Sequence, residues 1–123
     1  MSVSGRNYLV READVRTYSP VNHSGTVNRR LISRETVGAQ QLEVVLGTIE
    51  KGHGAQPHHH DGIEQVCYIL SGAARAEVDG QLLELGPGDS CFFPAGQEHV
   101  FVATSEEPVR VLVIYAPPYA EKV

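Results

Sequence analysis

The chain has 123 residues, a net charge of -5, 41% hydrophobic and 20% charged residues, which is enough for one globular core and too little for two domains. Its Lys and Arg residues are dispersed, with a basic cluster only at Arg29-Arg30 and nearby Arg34, so a nucleic-acid partner is not expected. No apolar run approaches the roughly 18–20 residues needed to span a bilayer, and the polar start "MSVSGRNYLVREADVR" has no signal-peptide core, so the expectations are no membrane partner and a cytoplasmic location.

Residues 1–25 are polar and turn-rich and read as an irregular arm, residues 26–118 as a β-domain, and residues 119–123 as a C-terminal tail. "TVNRRLIS" is strand-like, and so is "QQLEVVLGTIE", where Leu42, Val44 and Leu46 alternate. "KGHGAQP" reads as a loop and "QVCYIL" as a short strand ending at Ser71-Gly72. "AARAEVDGQLLEL" carries Asp79-Gly80 between two strand-like pieces, a hairpin signal because a type I′ turn needs positive φ at both central residues. "SCFF", "VFVA" and "VRVLVIYAPP" close the series. About eight or nine strands with no amphipathic helix predict an all-β antiparallel sandwich or barrel. Cys67 and Cys91 are too few for a disulfide framework and are expected to be buried thiols.

The chemistry-bearing stretch is "QPHHHDGIEQVCYILSG", from Gln56 to Gly72. Pro57 disfavours a helix, so His58, His59 and His60 are expected to be extended. In a strand, residues i and i+2 share a face, which sends His58 and His60 one way and His59 the other. Two imidazoles at that spacing converge on one metal ion. Three adjacent histidines also suit an exposed polar turn with no ligand. His99, in a second turn ("PAGQEHV") after the strand "SCFF", supplies a third imidazole and favours the metal site.

These residues resemble the cupin superfamily over roughly residues 40–116. The first cupin motif reads here as Gly52, His58, His60 and Gly72, and the second as Gly88, Pro94, Gly96 and His99. The resemblance implies a small single-domain cupin: a closed or nearly closed antiparallel β-barrel (jelly-roll, or double-stranded β-helix), with one divalent metal ion per chain (Ni, Zn, Mn or Fe) held by two histidines, a carboxylate and a third histidine. Two positions depart from the motif. Its final Asn is Ala103, and its Glu falls at either Glu64 or Gln65. Counting from His60 permits both, whereas counting back six residues from Gly72 selects Gln65. Both alternating faces of the strand are apolar, so hydrophobicity does not choose; the turn glycine sets the register. The expected ligands are thus His58, His60, Gln65 and His99, with Glu64 as the alternative fourth. An amide in place of a carboxylate leaves the ion its full charge, making it a stronger Lewis acid that is held less tightly.

Gln56, Cys67, Phe93 and Phe101 are candidates to line the pocket. Tyr68, opposite in parity to Gln65, is expected to face outward at a sheet or dimer contact. His53 and His23 read as surface histidines, and Arg29 and Arg30 as solvated, one to each side of a strand. "TVNRRLIS" is a candidate edge for pairing two copies into a homodimer. The function classes that follow are three. The first is a non-redox isomerase, tautomerase or lyase acting on a small oxygen-rich metabolite; the others are an iron-dependent dioxygenase and a non-catalytic small-molecule-binding barrel. No residue is identified as the catalytic proton-transfer group.

Overall fold

The computed structural model describes residues 7–20 and 23–119, without the side chains of His23, Gln56 and His58. The alternation of apolar residues and the frequent turn glycines give nine strands among the described residues. They are β1 (Thr17–Tyr18), β2 (His23–Ile32), β3 (Glu43–His58), β4 (Glu64–Ser71), β5 (Ala74–Val78), β6 (Gln81–Leu85), β7 (Ser90–Phe93), β8 (His99–Ala103) and β9 (Val109–Ala116). All pairings are antiparallel, in the order β6-β5-β8-β3-β9-β4-β7, with β2 also on β3 and β1 on β2. The result is a nearly closed all-β barrel.

The β5–β6 hairpin turns at Asp79 (φ 50°) and Gly80 (φ 75°), the positive φ pair that Asp-Gly predicts. Helix content is slight. A single turn, α1 (Arg34–Val37), is capped by Ser33, whose side chain accepts from the Thr36 amide while the Thr36 hydroxyl accepts from the Ser33 amide.

Two readings of the sequence are corrected. "KGHGAQP" is not a loop, because β3 runs through it to His58, pairing first with β9 and then with β8. Gly54 sits where β3 meets β8. A Cβ there would lie 2.1 Å from the Phe101 carbonyl oxygen, so only glycine lets the two backbones approach. The inward face of β3 is also the odd-numbered one: Gly47 and Ile49 line the interior, while Leu42 is 40% exposed. Apolar residues occupy both parities here, and Glu43 and Gly47 disguise the inward one.

Part of the N-terminal segment is docked rather than irregular. A 3₁₀ turn at Glu12–Asp14 is held by Arg110, which donates to both Glu12 carboxylate oxygens (3.0 and 2.9 Å), and by Arg29, which donates to the carbonyls of Glu12 and Val15. The strand that follows, β1, pairs Thr17 with Arg29 and Tyr18 with Asn28. That occupies the β2 edge at residues 28–29, so this part of "TVNRRLIS" is closed to a second copy.

The core lies inside the barrel, where Ile69, Ala76, Phe93, Val109 and Val111 are almost wholly buried. Tyr68 is 41% exposed and points outward, as its parity requires. No helix among the described residues is long and apolar enough to cross a membrane.

Candidate metal and ligand site

Strand alternation decides what faces the interior. On β4, Gln65, Cys67 and Ile69 are buried, and Glu64, Tyr68 and Leu70 are exposed. The Gln65 amide therefore points into the barrel and the Glu64 carboxylate out of it. Gln65 Nε2 donates to Cys67 Sγ (3.5 Å), and Gln65 Oε1 is buried with no hydrogen-bond partner among the described residues. A buried acceptor left in that state costs about 1–3 kcal/mol unless something not in the chain satisfies it.

His99 opens β8 and is 3% exposed. Its Nδ1 lies 3.2 Å from the Gln97 carbonyl oxygen, an acceptor, so Nδ1 carries the proton and the lone pair is on Nε2. Phe93 stacks on this ring, with centroids 4.3 Å apart, and fixes its plane. His60 follows the end of β3 and is buried, its ring centroid 5.5 Å from that of His99. The Gly96 amide donates to the His60 carbonyl at 2.9 Å, tying the loop that carries His60 to the turn that leads into His99. Tyr119 packs on His60 (4.4 Å) and Tyr115 meets it edge-on (5.8 Å).

The other residues fall as follows. His59 faces solvent, 3.5 Å from Asp61. The side chains of His58 and Gln56 lie outside the described set, although the His58 backbone opposes His99 across β3 and β8. Cys67 and Phe101 line the cavity, while Phe93 acts behind His99. Burial pushes the Cys67 thiol up to about 12, against a partial offset from the Gln65 amide, and the Cys91 thiol is also raised by burial. Neither thiol is activated as a nucleophile. His53 bonds Ser24 Oγ at 2.9 Å.

Arg29 and Arg30 are not the solvated pair that their sequence suggests. Arg29 is spent on the N-terminal segment. Arg30 is nearly buried, with Nε 3.1 Å from a Glu43 carboxylate oxygen and its guanidinium 4.7 Å above the Tyr18 ring. Parity places both Arg30 and Glu43 on the inward side, where a charge needs a partner.

Between these walls is a cavity. The space free of atoms, open mouth included, amounts to about 480 Å3. Its polar lining comes from Thr26, Asn28, Gln65, His99 and Tyr115, and its apolar lining includes Ile49, Cys67, Phe101, Val111 and Val113. Sequence reasoning missed Thr26, Asn28 and Tyr115. Tyr115 was findable, since it continues the alternation Val111, Val113 into the same face; Thr26 and Asn28 share the parity of Arg30 on β2. Among the described residues no three His, Cys, Asp or Glu side chains form a group that could hold a metal. His58 and the Gln65 amide are not counted in that statement. What fits a metal ion is the donor chemistry: an oriented His99 lone pair, a buried His60 beside it, and a buried amide oxygen with no partner among the described residues.

Known proteins of similar sequence and shape bear on this arrangement. The chain is 27% identical over 112 residues to the polyketide synthase protein CurC of Streptomyces cyaneus, covering 91% of this chain and 72% of that one. It superposes on the polyketide cyclase RemF from Streptomyces resistomycificus with a TM-score of 0.77 and 26% identity, over 89% of this chain and 79% of that one. KdgF from Halomonas sp. shares the fold at a TM-score of 0.77 with 22% identity, over 90% and 94% of the two chains. Residues 45–115, which contain the buried histidines, the inward glutamine and all of the cavity lining except Thr26 and Asn28, match the Cupin domain, and the chain belongs to that family.

Proposed function

We propose that the protein is a metal-dependent, non-redox enzyme that moves a proton within a small oxygen-rich metabolite, as an isomerase, tautomerase, cyclase or lyase does. The observation that carries this reading is the buried Gln65 Oε1, inward-facing in a cavity it shares with His99 and without a hydrogen-bond partner among the described residues. His58, His60, Gln65 and His99 are the residues to hold a divalent ion, which when bound supplies Lewis-acid polarisation of a carbonyl or enol oxygen. The chain's own part is orientation and proton transfer. His99 is held by the Gln97 carbonyl and the Phe93 ring, and the cavity walls are largely apolar. Of the cavity-lining groups able to exchange a proton, Cys67 is disabled by its raised pKa and His99 belongs to the ligand set. That leaves the Tyr115 phenol as the acid–base residue. The similarity to the polyketide cyclase RemF is compatible with such chemistry, since ring closure of a polyketone is a carbonyl reaction without net redox change.

The test is to incubate metal-loaded protein in D2O with small hydroxyketones and 2-oxo acids, recording deuterium gain beside the carbonyl and oxygen uptake together. Deuterium incorporation that needs the metal and falls at least tenfold in Tyr115→Phe, with no oxygen consumed, is expected. Oxygen uptake matching substrate loss would replace this reading with the iron dioxygenase. A ligand that binds and is returned unchanged and undeuterated would make the barrel a binding protein.

A further inference from the structure

The cavity has a second polar end that the metal reading does not use. On β9, Tyr115 opposes Gln65, whereas Val111 opposes Gly47, which in turn opposes Asn28 on β2. Four strand residues separate the two rows, roughly 13 Å before the side chains lean toward one another. Between them Val113 opposes Cys67, and Phe101 is a further apolar residue of the lining.

Gly47 shows that the Asn28 end is shaped for a purpose. A glycine inside a strand costs stability and signals a close approach. Gly47 is not among the positive-φ glycines, so the backbone does not demand it. The side chain opposite does: a Cβ at position 47 would sit 3.0 Å from Asn28 Oδ1 and 3.4 Å from a Val111 methyl. The Asn28 carboxamide lies over the space that this glycine leaves, at the cavity wall, and makes no side-chain hydrogen bond to the other described residues. Thr26, beside it in the lining, donates its hydroxyl to the Ser24 carbonyl (2.9 Å), so it offers the cavity only an acceptor. Together they present an acceptor and an amide with both donor and acceptor capacity. That set suits a hydroxyl, which gives one hydrogen bond and takes another.

We infer that Asn28, seated on Gly47 and flanked by Thr26, is a specificity subsite for a hydroxyl at the far end of the ligand. The ligand class is then a short body with a carbonyl or enol oxygen at the Gln65–His99 end, a hydroxyl at the other and an apolar stretch between them. This rests on the reading of the cavity as the substrate site and adds the substrate's second anchor. The atom-free space of about 480 Å3, open mouth included, suits a small ligand.

The probes are cyclohexanone and 4-hydroxycyclohexanone, which differ only by the distal hydroxyl, titrated by NMR into wild type, Asn28→Leu and Gly47→Ala. Metal content is measured on the same samples. Wild type is expected to bind the hydroxyketone about fivefold more tightly, the worth of one neutral hydrogen bond. In Asn28→Leu the two ketones approach parity, with cyclohexanone binding no weaker than in wild type, which also reports that the variant is folded. Gly47→Ala, by displacing the amide, shrinks the preference in the same sense. Equal binding of the two ketones by wild type, a preference that survives Asn28→Leu, or failure of wild type to bind either ketone overturns the subsite. Loss of the metal reading is seen separately, as wild type without metal that still prefers the hydroxyketone.

Discussion

At the scale of single residues, the decisive feature is a choice between neighbours. Glu64 and Gln65 are adjacent, yet one is exposed and the other 8% exposed, because a strand sends them to opposite faces. Gln65→Glu would place a carboxylate where an amide oxygen now has no partner among the described residues, and would cancel one unit of charge on the proposed ion. We expect metal retention to tighten about tenfold or more in competition with a chelating dye, while Glu64→Gln leaves it unchanged. Equal effects from the two substitutions would mean the strand register is wrong. This inward position was legible in the sequence because the turn at Gly72 sets the register of β4. The environments of Arg29 and Arg30 were not legible. Their burial depends on Glu12, Val15, Tyr18 and Glu43, partners distant in the chain that no local pattern announces.

At the scale of elements, β2 and β3 carry a charge pair into the barrel wall. Glu43 and Arg30 are both nearly buried, so removing the Glu43 carboxylate takes away the close partner of Arg30, whose ion pair with the exposed Glu35 is longer at 3.7 Å. Glu43→Ala is expected to cost about 3–5 kcal/mol in urea unfolding, and the double variant Arg30→Met/Glu43→Leu distinctly less. A cost under about 1 kcal/mol, as for an exposed pair, would show that the pair is solvated. The hairpin at Asp79-Gly80 was legible because its turn chemistry is local. The path of β3 was not: its glycines look like loop punctuation, and only contact with the Phe101 carbonyl explains why Gly54 sits within a strand.

At the scale of the whole molecule, the barrel holds its thiols protonated. Cys67 has a folded pKa raised from 9.0 to about 12 by burial, so between those values the unfolded chain releases a proton that the folded protein keeps. Stability of the metal-free protein should therefore fall as pH rises above about 9, with a loss on the order of 1–2 kcal/mol by pH 10.5. Cys67→Ala should lessen that slope; an unchanged slope would assign it to other groups. The fold class was readable before any coordinates, from strand spacing and two motifs of glycine, proline and histidine. The cavity was only half readable, because Thr26, Asn28 and Tyr115 reach it through strand pairings that bring distant segments together. The account turns on whether those paired strands assemble a metal centre. Elemental analysis of untagged protein, with His99→Ala alongside, tests this most directly. About one divalent metal per chain, falling at least tenfold in the variant, is predicted; no metal after incubation with divalent ions, or equal metal in both proteins, would contradict it.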